Sequence, residues 1–148
     1  MDVPTLTDGI ITLVCVKKHH TDFYGDWIPA YEFEICVGDD RIGSIRLRIG
    51  HFKAVYYSGH IGYKVDEGHR GKGYAGRACK LLAPVARHHG MTKLLITNNV
   101  GNAASYRVCE KLGTKFIRKT ELPDWHDLYK EGQRFANIFE WDLMENGD

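Results

Sequence analysis

Net charge is nearly absent from this sequence. Across 148 residues, 20 Lys and Arg almost cancel 19 Asp and Glu, leaving +1 at neutral pH and a pI near 7.7. No global field therefore draws the chain to nucleic acid or to an anionic membrane, and any anion site must be local. Long hydrophobic runs are missing as well. The longest largely apolar stretch, Gly9 to Val16, falls far short of the roughly 20 residues of a membrane span, and no charged-then-apolar leader precedes it. The expectation is a cytoplasmic protein that engages neither membrane nor nucleic acid.

Cysteine is scarce and scattered. Cys15, Cys36, Cys79 and Cys109 form no C-x-x-C pair and no Cys/His cluster at zinc-finger spacing, which argues against a disulfide scaffold and against a metal site. Reduced, mostly buried thiols are expected. The adjacent pairs His19-His20 and His88-His89 diverge on any regular element and read as surface or capping residues rather than metal ligands. Only four prolines occur, and no linker, repeat or low-complexity tract divides the chain. With 43% apolar and 26% charged residues, residues 1–148 read as one folded domain.

What is present is a series of short strands followed by helices. Ile10 to Val16, Glu32 to Val37, Ile42 to Ile49 and Val55 to Val65 are strand-like runs, with Gly38-Asp39-Asp40 turning the second into the third as a hairpin. In the third run Ile45, Leu47 and Ile49 alternate with Ser44, Arg46 and Arg48, the period of a half-buried strand. From Gly73 the period changes. Ala75, Ala78, Cys79, Leu82, Ala86 and His89 form the stripe of an amphipathic helix ending at Gly90, with Pro84 expected to kink or strain it. Lys93 to Thr97 reads as a buried strand, and Asn102 to Leu112 as a second helix with Asn102 as N-cap and Gly113 just beyond its end. Phe116 to Thr120 and Phe135 to Leu143 close the pattern as strands, giving an α+β fold with a mixed sheet.

The most informative segment runs from Gly62 to Gly76, a strand entering a glycine-rich turn that opens a helix. Glycines at 68, 71 and 73 permit left-handed backbone and leave N–H groups open, and the helix start adds about half a positive charge. Arg70 and Lys72 place full charges beside them, so the turn suits a pyrophosphate. Gly71-x-Gly73-x-x-Gly76 also satisfies the dinucleotide fingerprint formally, but no acidic residue stands in Thr92 to Asn99 to take ribose hydroxyls. No Gly-Lys-Ser/Thr occurs at P-loop spacing.

Arg70-Gly-Lys-Gly73-Tyr-Ala75 resembles the Gln/Arg-x-x-Gly-x-Gly/Ala acetyl-CoA signature of the GCN5-related N-acetyltransferase (GNAT) superfamily. Asn102-Ala-Ala-Ser105 through Glu110-Lys-Leu-Gly113 is similar to the Asn-x-x-Ser…Glu-Lys-x-Gly helix of its Rim-like branch. The resemblance implies a mostly antiparallel sheet of six to seven strands with helices on both faces, and a fourth and fifth strand splayed around CoA. It further implies that the backbone of Val65 faces the pantetheine and that the amides of Arg70, Gly71, Gly73, Ala75 and Gly76 hold the pyrophosphate. On the other side of the gap, Asn98, Asn102 and Ser105 would contact the pantetheine arm, and the amide of Tyr63 would face the acetyl carbonyl.

The implied reaction is direct attack of an amine, on a small molecule or a peptide, upon acetyl-CoA, with no metal. The chain departs from the family at both proton-transfer positions. Where many members carry a tyrosine acid, counting from Asn102 gives Cys109, and where one branch carries a catalytic glutamate, counting back from Arg70 gives Gly59. His60, Tyr63, Glu34 and Cys109 are the remaining catalytic candidates. Only His19 to Ala30 is available for the helices that usually wall the acceptor, enough for about one short helix, so the segment Pro123 to Tyr129 should form the opposite wall through Trp125, His126 and Tyr129, with Trp27 and Tyr31 near it. The competing readings are a non-catalytic acyl-CoA-binding module of the same fold and, third, a dinucleotide-binding domain. The resemblance is compatible with a homodimer, which no residue pattern decides.

Overall fold

The computed structural model describes residues 4–19, 29–50 and 55–144. Among the described residues, eight strands form a single sheet: β1 (Leu6–Thr7), β2 (Thr12–His19), β3 (Ala30–Val37), β4 (Asp40–Arg48), β5 (Ile61–Val65), β6 (Lys93–Asn99), β7 (Lys115–Glu121) and β8 (Phe135–Asp142). Their order is β1-β2-β3-β4-β5-β6-β8-β7, and every pairing is antiparallel except β5 with β6. The helices are α1 (Tyr74–His88), α2 (Ala103–Lys111) and the one-turn α3 (Asp127–Lys130). Among the described residues, no helix is long and apolar enough to cross a membrane.

Alternation explains the first half of the sheet. Tyr31, Phe33 and Ile35 of β3 and Ile45 and Leu47 of β4 turn inward and are buried, while Glu32, Glu34 and Arg46 point the other way. The β3–β4 hairpin closes at Val37↔Asp40, and Gly38 takes a positive φ of 59° at its first turn position. Against the inner face lies α1, whose stripe of Ala78, Cys79, Leu82 and Ala86 is fully buried. The helix runs unbroken through Pro84, whose ring faces solvent, and it ends one residue before His89, which caps it.

Several sequence expectations shift. The sheet has eight strands rather than six or seven, because Leu6–Thr7 adds a short edge strand beyond an Asp8 turn whose carboxylate accepts the N–H groups of Ile10 and Ile11, both at 2.9 Å. The run from Val55 is a strand only from Ile61. Val55 to Ser58 forms a turn closed by the Gly59 N–H on the Val55 carbonyl at 2.6 Å, and Gly59 then takes φ 77°, which breaks extended pairing. Only Cys79 and Cys109 are buried thiols, since Cys15 and Cys36 are half-exposed. The expected short helix within His19 to Ala30, with Trp27, lies outside the described residues for nearly all its length.

The one parallel pairing is also the shortest of the interior pairings. β5 and β6 register only at Ile61↔Ile96, just beside a pin made by His60. Its backbone N–H donates to the Leu95 carbonyl at 2.7 Å, and its ring Nδ1 accepts the Leu95 N–H at 2.8 Å. An accepting Nδ1 puts the ring proton on Nε2, which donates to the Gly50 carbonyl at 2.9 Å. Burial holds this imidazole below its ordinary pKa of 6.5, so the folded ring is neutral at physiological pH. Because the unfolded ring protonates more readily, the His60 contribution to stability is complete above pH 6.5 and is lost progressively as pH falls from there toward the depressed folded value. Urea unfolding of wild type and His60→Gln between about pH 7.5 and about pH 5.5 should therefore give a steeper acid-side loss in wild type, and equal slopes would contradict the pin.

Candidate active site

Beyond Ile61 the two parallel strands separate, and the register of β4 with β5 decides what faces the gap. The Arg48 N–H bonds the His60 carbonyl and the Asp66 N–H bonds the Ile42 carbonyl. In an antiparallel ladder this assigns the main-chain groups of even-numbered β5 residues to β4 and turns those of Ile61, Tyr63 and Val65 toward β6. The same parity holds on the other side, where the Leu143 N–H bonds the Thr92 carbonyl and so leaves Thr97 and Asn99 facing β5. The Tyr63 N–H therefore opens into the gap.

Two cavities meet there. The larger, about 870 Å³, is walled by Val65, by Arg70, Gly71 and Gly73 to Gly76 of the glycine turn and by the facing surfaces of α1 and α2. Gly71 and Gly73 have φ of 79° and 80°, Gly73 is the N-cap of α1 without a side-chain cap bond, and a Cβ at Gly71, Gly73 or Gly76 would meet nothing within 4 Å. The first-turn amides of a 15-residue helix are thus presented to open space, the arrangement that holds an anion. Arg70 folds back, its Nε donating to the Val65 carbonyl at 2.8 Å. Lys72 does not line the cavity; the cations that do include Arg77 and Lys80 of α1 and Arg107 and Lys111 of α2. Their three- and four-residue spacings on helix faces were the available signal for them.

The smaller cavity, about 610 Å³, runs from Arg48, Ser58 and Gly62 across Thr97, Asn98 and Asn99 to α3. Tyr63, Asn102 and Ser105 line both cavities. The Asn102 side chain caps α2 by accepting the Ser105 N–H at 3.0 Å, and the Tyr63 hydroxyl donates to Ser105 Oγ at 3.0 Å. Burial pushes the Tyr63 pKa up to about 12, which keeps the phenol protonated and donating. Asn98, nearly buried, accepts from Asn137 at 3.2 Å and turns its amide N–H toward the Cys109 sulfur at 3.8 Å.

The remaining sequence candidates fall elsewhere. Glu34 sits on β3 in an ion pair with Arg41 at 3.0 Å and lines neither cavity. That places it on the wrong strand and in the wrong company for proton transfer at the gap. His60 is fully buried with both ring nitrogens bonded, so the lone pair a base would need already receives the Leu95 N–H. Gly59 packs so closely on β6 that a Cβ would lie 3.1 Å from the Leu95 carbonyl oxygen, which leaves no room for a glutamate. Cys109 is buried, lines neither cavity, and has its pKa raised to about 12 by burial. It packs.

The segment from Pro123 does wall the smaller cavity, but through other side chains than expected. His126 is buried and caps α3, its Nδ1 accepting the Leu128 N–H at 3.1 Å, with its ring edge-on to Tyr57. Tyr129 stacks under the Arg134 guanidinium at 3.8 Å, and Trp125 is 62% exposed against Tyr57. Asp127, Leu128, Lys130 and Glu131 face the cavity instead. Tyr31 bonds His89 through its hydroxyl at 2.8 Å and belongs to the β3–α1 packing.

Solved structures that share this architecture include several acetyltransferases. RimL, an alpha-N-protein acetyltransferase of a ribosomal protein crystallised with coenzyme A, superposes with a TM-score of 0.71 at 14% identity over 98% of this chain and 100% of that one. The microcin C7 self-immunity acetyltransferase MccE, in complex with acetyl-CoA and AMP, gives 0.58 at 20% identity over 76% of this chain and 61% of that one. Ribosomal-protein-S5-alanine acetyltransferase from Vibrio fischeri gives 0.62 at 19% identity over 78% and 63%. The chain spans 61–63% of the length of several of these structures. No curated protein sequence matches it. The sequence pattern of the acetyltransferase (GNAT) domain matches residues 16–115, well over half of the chain and including both the glycine turn and the Asn102 helix. The protein belongs to the GNAT acetyltransferase domain family.

Proposed function

We propose that the protein is an acetyl-CoA-dependent N-acetyltransferase that moves an acetyl group to a primary amine of a small molecule or peptide by direct attack. The observation that carries this reading is the meeting of the two cavities at Tyr63, Asn102 and Ser105, where the β5–β6 pairing has ended. One cavity offers an anion cradle and the other an opening for an acceptor. Such a through-gap lets a donor and an acceptor approach one point without either passing the other.

Acetyl-CoA supplies the activated acyl group and a sulfur leaving atom. The amides of Gly71, Gly73, Ala75 and Gly76 would hold its pyrophosphate, with Arg77, Lys80, Arg107 and Lys111 adding charge around it, and the gap-facing groups of Val65 and the side chains of Asn98 and Asn102 would line the arm. The Tyr63 N–H would donate to the carbonyl oxygen as negative charge grows there, a contact that strengthens toward the transition state. The Ser105 hydroxyl accepts from Tyr63 and retains its own proton, through which it would hydrogen-bond the sulfur as the C–S bond breaks and the thiolate leaves. Asp127 and Glu131, the carboxylates of the smaller cavity, would attract the acceptor as its ammonium ion, which sheds one proton to solvent to free the attacking lone pair and a second as the amide forms.

A non-catalytic acyl-CoA module is the second reading, favoured by the burial of Cys109 and the absence of side-chain room at Gly59. Titration calorimetry with acetyl-CoA tests what the two readings share. Thiol release with an amine panel separates them, and binding without any release would favour the module. The cradle gives a sharper test. Gly73→Val introduces a branched side chain into the open turn at a positive φ, and CoA affinity should fall at least about 100-fold while circular dichroism stays native. Retained affinity would contradict the cradle. At the junction, Tyr63→Phe and Ser105→Ala should each lower kcat by about 10- to 100-fold with little change in CoA affinity, whereas an unchanged kcat would remove the hydroxyl pair from the mechanism.

A further inference from the structure

The larger cavity holds more positive charge than a pyrophosphate on open helix amides requires. Lys80 of α1 and Arg107 and Lys111 of α2 all line it and are exposed, and among the described residues none of the three side chains makes an ion pair or a hydrogen bond. The one carboxylate in that lining among the described residues is Asp8, and it is already engaged. Its Oδ1 accepts the N–H groups of Ile10 and Ile11, and its Oδ2 accepts from Arg77 Nη1 at 2.9 Å. Arg70, within the turn, donates to the Val65 carbonyl. Lys64, also in the lining, stands on β5 rather than on the helices. The cations at the start of α1 therefore have partners, whereas those further along both helices do not.

Helix stability does not account for them. Lys111 lies in the last turn of α2, where a cation complements the helix dipole, but Lys80 and Arg107 sit inside their helices and gain nothing from it. Arg107 and Lys111 are one turn apart on α2, and Lys80 is one turn beyond Arg77 on α1. Like charges at those spacings repel one another. Two helices thus each turn a like-charged pair into one space whose only described carboxylate is held elsewhere.

Position separates this cluster from the cradle. Lys80 follows Gly73 by seven residues, about 10 Å along the axis of α1 from the open amides. An anion seated on those amides leaves the cluster for a second anion carried on the same ligand. Besides its pyrophosphate, CoA has one other anionic group, the phosphomonoester on the 3′ position of its ribose, which bears about −1.5 to −2 charge at neutral pH. Three cations on two helices match a compact dianion.

We propose that Lys80, Arg107 and Lys111 form a subsite for the ribose 3′-phosphate of CoA, through which the protein selects CoA over its dephospho form; this deepens the acetyltransferase reading and rests on it. The subsite acts on donor binding and not on acyl transfer.

The test is titration calorimetry of the full chain with CoA and with 3′-dephospho-CoA, which differ in that one phosphate, at about 20 mM and about 300 mM salt. In wild type, CoA should bind at least about ten-fold more tightly at low salt, the size of one charge-assisted contact, and the ratio should shrink at high salt. Arg107→Gln and Lys111→Gln, both at exposed helix positions that the fold tolerates changing, should each cut that ratio at least about three-fold, and Lys111→Arg should keep it. Lys119→Gln removes the same charge from β7, outside both cavities, and should leave the ratio unchanged. Equal affinities for the two ligands in wild type, variants that weaken both ligands alike, or a Lys119→Gln effect equal to theirs would overturn the inference while leaving the acetyl-CoA site standing. Failure of wild type to bind either ligand would sink the acetyltransferase reading and the inference with it.

Discussion

The site depends on the length of one strand pairing. β5 and β6 are joined at a single register pair, Ile61↔Ile96, and by the His60 bonds to Leu95 beside it. Had the ladder continued, the main-chain groups of Tyr63 and Val65 would be spent on Thr97 and Asn99, and the sheet would close over the point where the two cavities meet. The pin and the opening are consequences of the same geometry. His60 fastens the strands at one end with its backbone and its ring, and the right-handed twist of a sheet carries unpaired strand ends apart. Burying an imidazole to do this is tolerable because both nitrogens are bonded and the ring stays neutral.

Around that opening, charge is placed locally in a chain with almost none overall. The cradle gathers open amides of α1 with cations of both helices on one side of the junction, and the smaller cavity gathers Asp127, Lys130 and Glu131, at and just beyond α3, with Arg48 on the other. Local fields of this kind act at a few ångströms, where screening by salt is weak, so a net charge of +1 carries no information about them.

How much of this the sequence disclosed follows from how local each signal is. The glycine turn and the Asn102 cap were legible because backbone conformation and capping are settled within a few residues: positive φ at Gly71 and Gly73, and Asn102 accepting from Ser105. Strand runs with clean alternation, such as β3 and β4, were legible for the same reason. The fourth run was overextended because a glycine at 59 in a stretch of β-formers does not announce a left-handed turn. His60 had the intrinsic pKa of a base, and only its partner at Leu95, 35 residues on, shows where its lone pair goes. The segment from Pro123 does wall the smaller cavity, but through Asp127, Leu128, Lys130 and Glu131 rather than through its aromatic residues. Aromatic residues drew the reading to Trp125, His126 and Tyr129, while a one-turn helix capped by His126 turned Asp127 and Glu131 to the cavity. Arg48 sat in view as one of the polar members of an alternating strand, and nothing within the strand distinguishes a solvated arginine from one folded over a neighbouring glycine.

The most direct test of the whole account is amide-resolved NMR of the isotope-labelled protein titrated with acetyl-CoA. The account predicts that the largest shifts and the strongest gain in exchange protection fall on the N–H groups of Tyr63, Gly71, Gly73, Ala75 and Gly76, two separate stretches joined only through the gap. Saturable shifts that leave Tyr63 and the α1 amides untouched, or no shifts at all, would contradict it.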